Sequence, residues 1–439
     1  MDLNSYFNGK RITVMGLGLL GRGVGDARFL AAHGAEIIVT DLKSEEELAA
    51  SVAQLREFPN VTLVLGEHRL EDFKDRDFVL KAAGVPRDSV YIQEALKNGI
   101  PVKMSASWFM ELSDLPVVGV TGTRGKSTVT HMIHAILTEA GWPTLLGGNV
   151  RGVSTLSLLD EAGGERIALF ELDSWQLQGF GEAKLSPDVA VFTTFMDDHL
   201  NYYHGDRDAY LADKANIFLN QEPVDTLVLG SQCAELVQDK YGDSIVAHTV
   251  VAGAHDFRSD WELKVFGEHN RYNAALAVEA ARALEISDDV IERALANFAG
   301  VPGRLELVRE VEGVSFYNDT TATTPDATSA AVEALRENKK PIVLIMGGAD
   351  KGLAMESLLA DVKQYAKHVS LLEGTGTNLI KDQLPAASVF NSLEDAFEDA
   401  RSHAEAGDAV LLSPGLASFG MFLNEYDRGD QFTVLVRAL

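Results

Sequence analysis

The chain has 439 residues, enough for about three domains of roughly 150 residues each, and its 46% hydrophobic and 23% charged residues are ordinary for a globular protein. A formal net charge of -27 excludes a general basic surface for nucleic acid or anionic membrane, but not a local pocket for an anionic small molecule. The single Cys233 excludes an intramolecular disulfide, and without a signal-peptide pattern or an apolar run near ~20 residues we expect a cytoplasmic protein.

Residues 1–114 alternate short apolar segments with helical patterns, which predicts an α/β domain around a parallel sheet. Strands are predicted at 12–15, 37–40, 61–65 and 78–80. The first strand leads into Gly16-Leu-Gly-Leu-Leu-Gly21, and Asp41 ends the second. This G-x-G-x-x-G turn is a dinucleotide fingerprint and is typical of a dehydrogenase. However, the motif requires only a diphosphate at a helix N-terminus and a hydroxyl donor for Asp41, and UDP supplies both as well as NAD does.

The second block, 115–300, opens with a phosphate-binding pattern. A predicted buried strand at 117–121 runs into Gly122-Thr-Arg-Gly-Lys-Ser127 and a helix that extends to about residue 140. In this layout backbone N–H groups bind phosphate, Lys126 reaches the terminal phosphates and Ser127 ligates Mg²⁺. Val120 stands where the strict Walker pattern has glycine, and a turn that merely caps a helix is the alternative. Because Gly-Lys-Ser lies at the strand-to-helix junction, we predict ATP binding.

Four polar residues stand out in the next predicted segments. Glu171 lies at the end of a predicted strand at 167–172, Asp198 and His199 follow a predicted strand at 189–193, and Lys214 lies on the helical stretch near 208–219. Because the carboxyl ends of parallel strands face one crevice, we expect the first three near Lys126. Taken one at a time, such residues also occur without a functional role, as an acid at a strand end, a histidine in a loop or a solvated lysine on a helix surface. Together with Lys126 and Ser127 they suit Mg²⁺ and phosphate oxygens.

The third block, 301–439, again has the pattern of an α/β domain. Strands are predicted at 341–346, 369–372 and 409–412, each followed by a turn with Gly or Ser. The boundaries near 115 and 300 are indicated by Ser113-Asp-Leu-Pro116 and Phe298-Ala-Gly-Val-Pro-Gly303. The sequence therefore predicts an α/β fold in three domains.

The order of motifs along the whole chain resembles that of the Mur ligase family. The matching segments are Gly122-Thr-Arg-Gly-Lys-Ser127, Gly147-Gly-Asn149, Glu171 with Ser174-Trp-Gln176, Asp198-His199, Lys214, Gly267-Glu-His-Asn-Arg-Tyr-Asn273, Pro302-Gly-Arg304, Asn318-Asp319, Gly347-Gly348 and Leu412-Ser-Pro414. The set is highly specific, although no single member is. The Gly16–Gly21 domain and Ser413-Pro-Gly-Leu-Ala-Ser-Phe419 are most similar to the members that add D-glutamate.

The resemblance implies a Rossmann-like UDP-substrate domain at 1–114, a central P-loop-type ATPase domain at 115–300 and a C-terminal Rossmann-like amino-acid-binding domain at 301–439. It implies a monomer that acts on UDP-N-acetylmuramoyl-L-alanine, D-glutamate and ATP in peptidoglycan precursor synthesis, with two Mg²⁺ ions. The implied catalytic residues are Lys126, Lys214, His199 and Glu171. The implied metal ligands are Ser127, Glu171, His199 and Lys214, with Lys214 carbamylated so that it offers carboxylate-like oxygens.

Further roles are implied by position. For ATP they fall on Gly122, Thr123, Gly125, Lys126, Ser127, Thr128, Asn270, Asn273, Arg304 and Asp319. For the UDP substrate they fall on Gly18, Leu19, Leu20, Asp41, Asn149, Ser174 and Gln176. For the amino acid they fall on Asp198, Thr323, Lys351, Ser418 and Tyr426. The implied reaction forms an acyl phosphate from the substrate carboxylate and ATP, and the amine of glutamate then displaces phosphate.

Two departures from the family pattern leave the acceptor open. Thr321 replaces a lysine, and Glu425 occupies a position usually given to an aromatic residue, with Tyr426 beside it. L-glutamate or another amino acid is therefore an alternative to D-glutamate, whereas a folate ligase is disfavoured by the preceding Gly16–Gly21 domain. From other classes, an NAD-dependent oxidoreductase and a non-catalytic nucleotide-binding regulator are the alternatives. An oxidoreductase does not need a second phosphate loop, and a regulator that only binds nucleotide does not need metal ligands. The presence of both features disfavours these two alternatives.

Overall fold

The computed structural model describes residues 2–19, 21–199 and 202–439. They form two compact units, which comprise Met1–Phe257 with Asn273–Ala294 and Arg258–Tyr272 with Leu295–Leu439. Among the described residues, none of the helices combines the length and the apolar character needed to cross a membrane.

The first unit begins with a five-stranded parallel sheet in the order β3-β2-β1-β4-β5. Its strands are β1 Arg11–Met15, β2 Glu36–Asp41, β3 Val61–Leu65, β4 Phe78–Lys81 and β5 Val102–Lys103. Its helices are α1 Leu3–Phe7, α2 Arg22–Ala32, α3 Ala49–Leu55, α4 Val90–Lys97 and α5 Ser105–Leu112. The chain adds strands first on one side of β1 and then on the other. A crevice opens at such a switch point, and the loop after β1 lies at its edge.

A second, six-stranded parallel sheet follows in the order β11-β10-β9-β6-β8-β7. Its strands are β6 Val117–Thr121, β7 Thr144–Gly148, β8 Ile167–Glu171, β9 Val189–Phe192, β10 Thr226–Gly230 and β11 His248–Ala252. The helices of this part are α6 Lys126–Glu139, α7 Ser174–Ala183, α8 Arg207–Ala215 and α9 Ser231–Tyr241. Two further helices, α10 Glu268–Ala283 and α11 Asp288–Asn297, each include residues of both units. Every residue of β6 and of both its neighbours is buried, as expected for central strands covered on two faces. Because β8, β6 and β9 are adjacent and parallel, their carboxyl ends lie side by side.

The second unit contains a six-stranded mixed sheet in the order β12-β13-β17-β14-β15-β16. Its strands are β12 Glu306–Val311, β13 Val314–Asn318, β14 Ile342–Gly347, β15 Ala366–Leu372, β16 Ser388–Phe390 and β17 Ala409–Leu412. Its helices are α12 Pro325–Glu337, α13 Glu356–Tyr365, α14 Thr375–Ile380, α15 Leu393–Ser402 and α16 Glu425–Ala438. β12 and β13 are antiparallel and are joined by Glu312 and Gly313, at φ 52° and 81°. Two successive residues with positive φ fit the tight turn that a two-residue hairpin uses.

The α/β fold predicted from the sequence is confirmed, and each predicted strand coincides with an observed one. The helix predicted near 208–219 is shorter, because α8 ends at Ala215. The pattern did not predict the strands β5, β7, β10, β11, β12, β13 and β16. The domain boundaries near 115 and 300 stay predictions.

Candidate active site

A tight Gly-rich loop joins β6 to α6. Gly122 has φ 143° and Gly125 has φ 86°, conformations that side-chain-bearing residues rarely adopt. A Cβ on Gly122 would lie 2.0 Å from Oγ1 of Thr193, so the loop passes too close to β9 for any side chain. The Thr193 hydroxyl donates to the carbonyl oxygen of Arg124 over 2.5 Å. This hydrogen bond fixes the loop to the residue that follows β9. The predicted strand–loop–helix layout is confirmed.

Lys126 begins α6, and its ammonium group folds back over the loop. Nζ donates to the carbonyl oxygens of Gly122 and Thr123 over 3.1 and 3.2 Å. Ser127 follows in the first helical turn and is buried. A cation beside the N–H end of a helix supplies the donors that phosphate oxygens require.

Lys214 reaches the same loop from α8. Its side chain is 1% exposed, and Nζ donates to the Gly122 carbonyl oxygen over 2.7 Å. No carboxylate of the described residues forms an ion pair with it. Burial lowers the pKa of Lys214 well below its usual range, and the positive charges of Lys126 and Arg124 act in the same direction. A buried amine without a counter-charge favours its neutral form.

Glu171 ends β8, beside the phosphate-binding loop. Its side chain is 4% exposed, and its Oε1 accepts a hydrogen bond from Nδ2 of Asn149 over 3.1 Å. The backbone N–H of Asn149 also donates to the Glu171 carbonyl oxygen over 2.6 Å. The carboxylate is therefore oriented by one neutral amide and is not neutralised by a cation in the described part of the chain.

Asp198 and His199 follow β9. An Asp198 oxygen accepts from Nη1 of Arg124 over 3.1 Å, which ties this segment to the phosphate-binding loop. His199 has φ 53°, and its ring lies 4.7 Å from that of Trp175, centroid to centroid. Burial lowers the pKa of His199, and Lys126 and Lys214 lower it further while Asp198 opposes them. The neutral imidazole, which is the form that binds metal, is favoured.

One cavity of about 360 Å³ in the first unit joins the two glycine loops. Its wall includes Gly18 and Leu19 of the first loop, and Lys126 of the second loop together with His199. Asn149 and Gln176, both predicted substrate contacts, also line it. Ser174 does not, because its side chain is buried at the start of α7, and Leu20 lies outside the described residues.

Asp41 is occupied by the backbone of the first glycine loop. One carboxylate oxygen accepts from the N–H groups of Leu17 and Gly18 over 2.8 and 3.3 Å, and the other accepts from Lys43 over 2.9 Å. The residue is buried and does not line the cavity. The structure thus gives Asp41 a role in shaping the loop, and its predicted contact with a substrate hydroxyl stays a prediction.

Two predicted amino-acid contacts meet in the second unit, where Nζ of Lys351 donates to Oγ1 of Thr323 over 3.1 Å. Asp319, a predicted ATP contact, is buried there. Its oxygens accept from Oγ of Ser413 over 2.7 Å and from the N–H of Leu305 over 3.0 Å. Burial raises the pKa of Asp319 to about 7, although both hydrogen bonds oppose the rise.

The remaining predicted residues are dispersed over both units. In the first unit, Asn273 has Oδ1 2.5 Å from where a Cβ on Gly125 would lie, so it borders the phosphate-binding loop, and Thr128 is in the first turn of α6. In the second, Asn270 donates from Nδ2 to the Phe266 carbonyl oxygen over 2.8 Å. Arg304 is partly buried, Ser418 is buried, and Tyr426 lies in the first turn of α16.

Buried cations that the sequence patterns did not single out occur in both units. Lys81 ends β4, lines the cavity and donates from Nζ to the Val85 carbonyl oxygen over 3.2 Å, and burial lowers its pKa to about 8. Arg428 is fully buried and donates from Nε and Nη2 to Thr320, and its Nη1 has no hydrogen-bond partner in the described residues. A lysine ending an apolar strand was the available signal for Lys81. Arg428 had none, because a helical arginine is ordinarily exposed.

His368, Asp399 and His403 form a separate cluster of possible metal ligands in the second unit. The imidazole planes are 7° apart, with centroids at 3.7 Å, so their lone pairs run nearly parallel instead of converging on one ion. Nε2 of His368 lies 2.8 Å from an Asp399 oxygen. The cluster is a stacked imidazole pair anchored by a carboxylate.

Three models of protein families match successive parts of the chain. They are the Mur ligase MurD-like N-terminal domain at 10–104, the Mur ligase middle domain at 120–259 and the Mur ligase glutamate ligase domain at 303–416. The chain belongs to the Mur ligase family.

Within this family, the chain is similar to two proteins named UDP-N-acetylmuramoylalanine–D-glutamate ligase. It is 39% identical to the one from Roseiflexus sp. (strain RS-1), over 98% of this chain and 99% of that protein. It is 36% identical to the one from Borreliella burgdorferi (strain ZS7), over 97% of each. The fold is also that of the MurF ligase from Thermotoga maritima, solved in complex with ADP, with a TM-score of 0.64, 18% identity and coverage of 100% and 98%.

Proposed function

We propose that this chain is an ATP-dependent ligase that joins D-glutamate to UDP-N-acetylmuramoyl-L-alanine in peptidoglycan precursor synthesis, and that it works as a cytoplasmic monomer. The observation that carries the proposal is one continuous cavity whose wall includes both Gly18 and Lys126. A nucleotide-sugar whose diphosphate lies at the first loop would extend its far end toward the second. The similarity to the named relatives supplies the identity of that end and of the acceptor.

The chemistry follows from the charges along the cavity. The terminal carboxylate of the substrate attacks the γ-phosphorus of ATP, the bond to ADP breaks, and an acyl phosphate forms. Lys126, at the second glycine loop, offsets the negative charge of the transferring group. The neutral amine of glutamate then attacks the acyl carbon, phosphate leaves, and the amine nitrogen loses a proton. This sequence asks the protein for positioning and charge, not for a nucleophile of its own.

Mg²⁺ fits the side chains at the second loop. Ser127 and Glu171 offer oxygen, and His199 offers an imidazole whose lowered pKa favours the neutral form. Bound there, the ions would neutralise charge on the phosphate oxygens. An ammonium at Lys214 would repel them, so the fit depends on what that residue becomes.

Carbamylation of Lys214 would resolve that conflict. The neutral amine attacks CO₂, releases a proton and becomes a carbamate whose single negative charge is shared by two oxygens. The burial of Lys214, its lowered pKa and its lack of a carboxylate partner in the described residues support this assignment. We accordingly propose Ser127, Glu171, His199 and carbamylated Lys214 as the metal ligands.

The acceptor end is proposed for the third domain, 301–439, with 1–114 and 115–300 as the UDP-substrate and ATPase domains. Lys351 would pair with a carboxylate of glutamate and Thr323 would hold it by its hydroxyl, because the two side chains already meet at 3.1 Å. Asp198, Ser418 and Tyr426 stay predicted contacts. L-glutamate is the second candidate acceptor, since Thr321 and Glu425 differ from the residues expected there.

Phosphate release from ATP tests the function directly. The purified chain is given ATP, Mg²⁺ and UDP-N-acetylmuramoyl-L-alanine, with D-glutamate, L-glutamate or no amino acid. We expect release that requires both the nucleotide-sugar and D-glutamate. Release with L-glutamate alone would overturn the acceptor, and reduction of NAD without any release would overturn the ligase assignment.

A further inference from the structure

We infer that Arg22 is a specificity residue that binds the diphosphate of the nucleotide-sugar and links it to Glu171 through Asn149. The inference rests on the proposed function for the identity of the substrate. Arg22 is the first residue of α2 and follows Gly21, which has φ 83°. It lines the cavity together with Gly18. A guanidinium is thus placed where the first glycine loop meets the cavity.

The guanidinium is available to a ligand. Its side chain makes one hydrogen bond to the described residues, from Nη1 to Oδ1 of Asn149 over 2.5 Å, and it forms no ion pair with any of them. Asp26 lies one turn further along α2 and also lines the cavity, and the charge of Arg22 opposes the rise that burial causes in the pKa of Asp26. Its Oδ1, however, accepts from the hydroxyls of Ser105 and Ser154 over 2.8 and 2.6 Å. Four of the five N–H donors of Arg22 therefore remain for an anion, in the planar arrangement that suits phosphate.

Electrostatics favour such a cation. The chain carries a formal net charge of -27, which repels an anionic substrate unless a local positive group compensates. Lys81 and Lys126 also line the cavity, and Lys126 lies at the second glycine loop, where ATP is proposed to bind. Arg22 supplies positive charge beside the first glycine loop, where the diphosphate is proposed to lie.

Asn149 connects Arg22 to the reacting centre. Its side-chain oxygen accepts from Arg22, and its side-chain nitrogen donates to Oε1 of Glu171 over 3.1 Å. Because one amide serves both partners, its orientation is fixed by both. Loss of Arg22 would release the oxygen of this amide and loosen a proposed metal ligand.

Close packing keeps Arg22 in place relative to Asn149. A Cβ on Gly21 would lie 3.4 Å from the Cα of Gly152, and a Cβ on Gly25 would lie 2.6 Å from the Cβ of Ser154. The start of α2 therefore rests directly on the segment that follows β7. This packing fixes the position of Arg22 relative to Asn149.

Binding measurements on the full chain separate a diphosphate contact from a merely structural one. UDP and uridine are titrated by calorimetry into the unaltered protein, Arg22→Ala and Arg22→Lys. We expect Arg22→Ala to weaken UDP binding by about 10- to 100-fold, the range of a lost charged hydrogen bond, and to leave uridine binding unchanged. Arg22→Lys should recover part of the loss. The matched control is Arg28→Ala on the same helix, whose guanidinium pairs with Glu57 and lies away from the cavity.

Steady-state kinetics give the second readout. Arg22→Ala should raise KM for the nucleotide-sugar, leave KM for ATP unchanged, and lower kcat through the released Asn149. Equal losses for UDP and uridine, or none for UDP, would overturn the inference. If the unaltered chain binds UDP in an Arg22-dependent manner but shows no ligase activity, the proposed function fails and the inference stands. If it is an active ligase and Arg22→Ala behaves like Arg28→Ala, the inference fails alone.

Discussion

Lys126 and Lys214 donate to the same oxygen, the carbonyl of Gly122, over 3.1 and 2.7 Å. Two ammonium groups at one acceptor repel each other, and burial further destabilises the charged form of the more deeply buried lysine, Lys214. The pKa of Lys214 is accordingly lowered, first by burial and then by the charge of Lys126. The pair thus divides into a lysine at the phosphate-binding loop and a buried amine that favours its neutral state.

Lys126→Ala should nearly abolish turnover while leaving the binding of UDP near normal. The cation is lost at the phosphate loop, whereas UDP is proposed to bind at the first glycine loop, which forms a different part of the cavity wall. The expected loss in kcat is about 10³-fold, as for the removal of one preorganised donor at a developing charge. Phosphate release and UDP calorimetry measure the two effects. Turnover equal to that of the unaltered chain would remove Lys126 from the mechanism.

Turnover should depend on dissolved CO₂ through Lys214. Carbamate formation requires the neutral amine, so the lowered pKa shifts it to lower pH than for an exposed lysine, whose pKa is near 10.5. Depleting CO₂ should reduce kcat, and added bicarbonate should restore it; at a fixed concentration of dissolved CO₂ the restoration should grow as the pH rises, because carbamate formation releases a proton. Lys214→Ala should be inactive with or without bicarbonate.

The control for the CO₂ experiment is Lys240→Ala. That lysine is paired with Asp208 and should leave the bicarbonate response intact. A ¹³C carbamate signal that persists in Lys214→Ala, or activity indifferent to CO₂, would contradict the assignment.

Much of the site could be predicted because strand ends and glycine turns have local signatures. Glu171 and Lys126 fall at the carboxyl ends of adjacent buried strands, and parallel pairing brings such ends together. Two of the missed strands lack a long apolar run: β12 mixes half-buried and exposed positions at a sheet edge, and β7 ends in two glycines.

The rest depends on packing between distant segments. Asp41 accepts hydrogen bonds from the backbone N–H groups of Leu17 and Gly18, a structural role that the sequence pattern did not indicate. Arg22 meets Asn149 only because α2 packs on a segment more than a hundred residues away. No periodicity encodes contacts of this kind.

Gly122→Ala should cost both stability and ATP affinity. A methyl group there would meet Oγ1 of Thr193 at 2.0 Å, and φ 143° is unfavourable for alanine. Overpacking of this kind costs about 1–3 kcal/mol, and any relief would displace the phosphate-binding backbone. Gly141→Ala is the matched control, because it has φ 76° with open space around it. Thermal unfolding and ATP calorimetry should show a loss of affinity in Gly122→Ala that Gly141→Ala lacks.

The stability of the second unit should fall as pH rises through the titration of Asp319. Its folded pKa is raised to about 7 from 3.8, so its contribution is fully present below the lower value and is lost as pH rises through the upper one. Linkage gives a loss of about 2 kcal/mol between about pH 5.5 and 8.

Asp319→Asn removes the titration, so its unfolding temperature should change less over this window than that of the unaltered chain, whatever constant penalty the amide brings. Asp382→Asn, at an exposed position of the same unit, should keep the original slope. Parallel curves for the unaltered chain and Asp319→Asn would show that this carboxyl is ionised throughout, and Ser413 and Leu305 would then hold its charged form more strongly than burial opposes it.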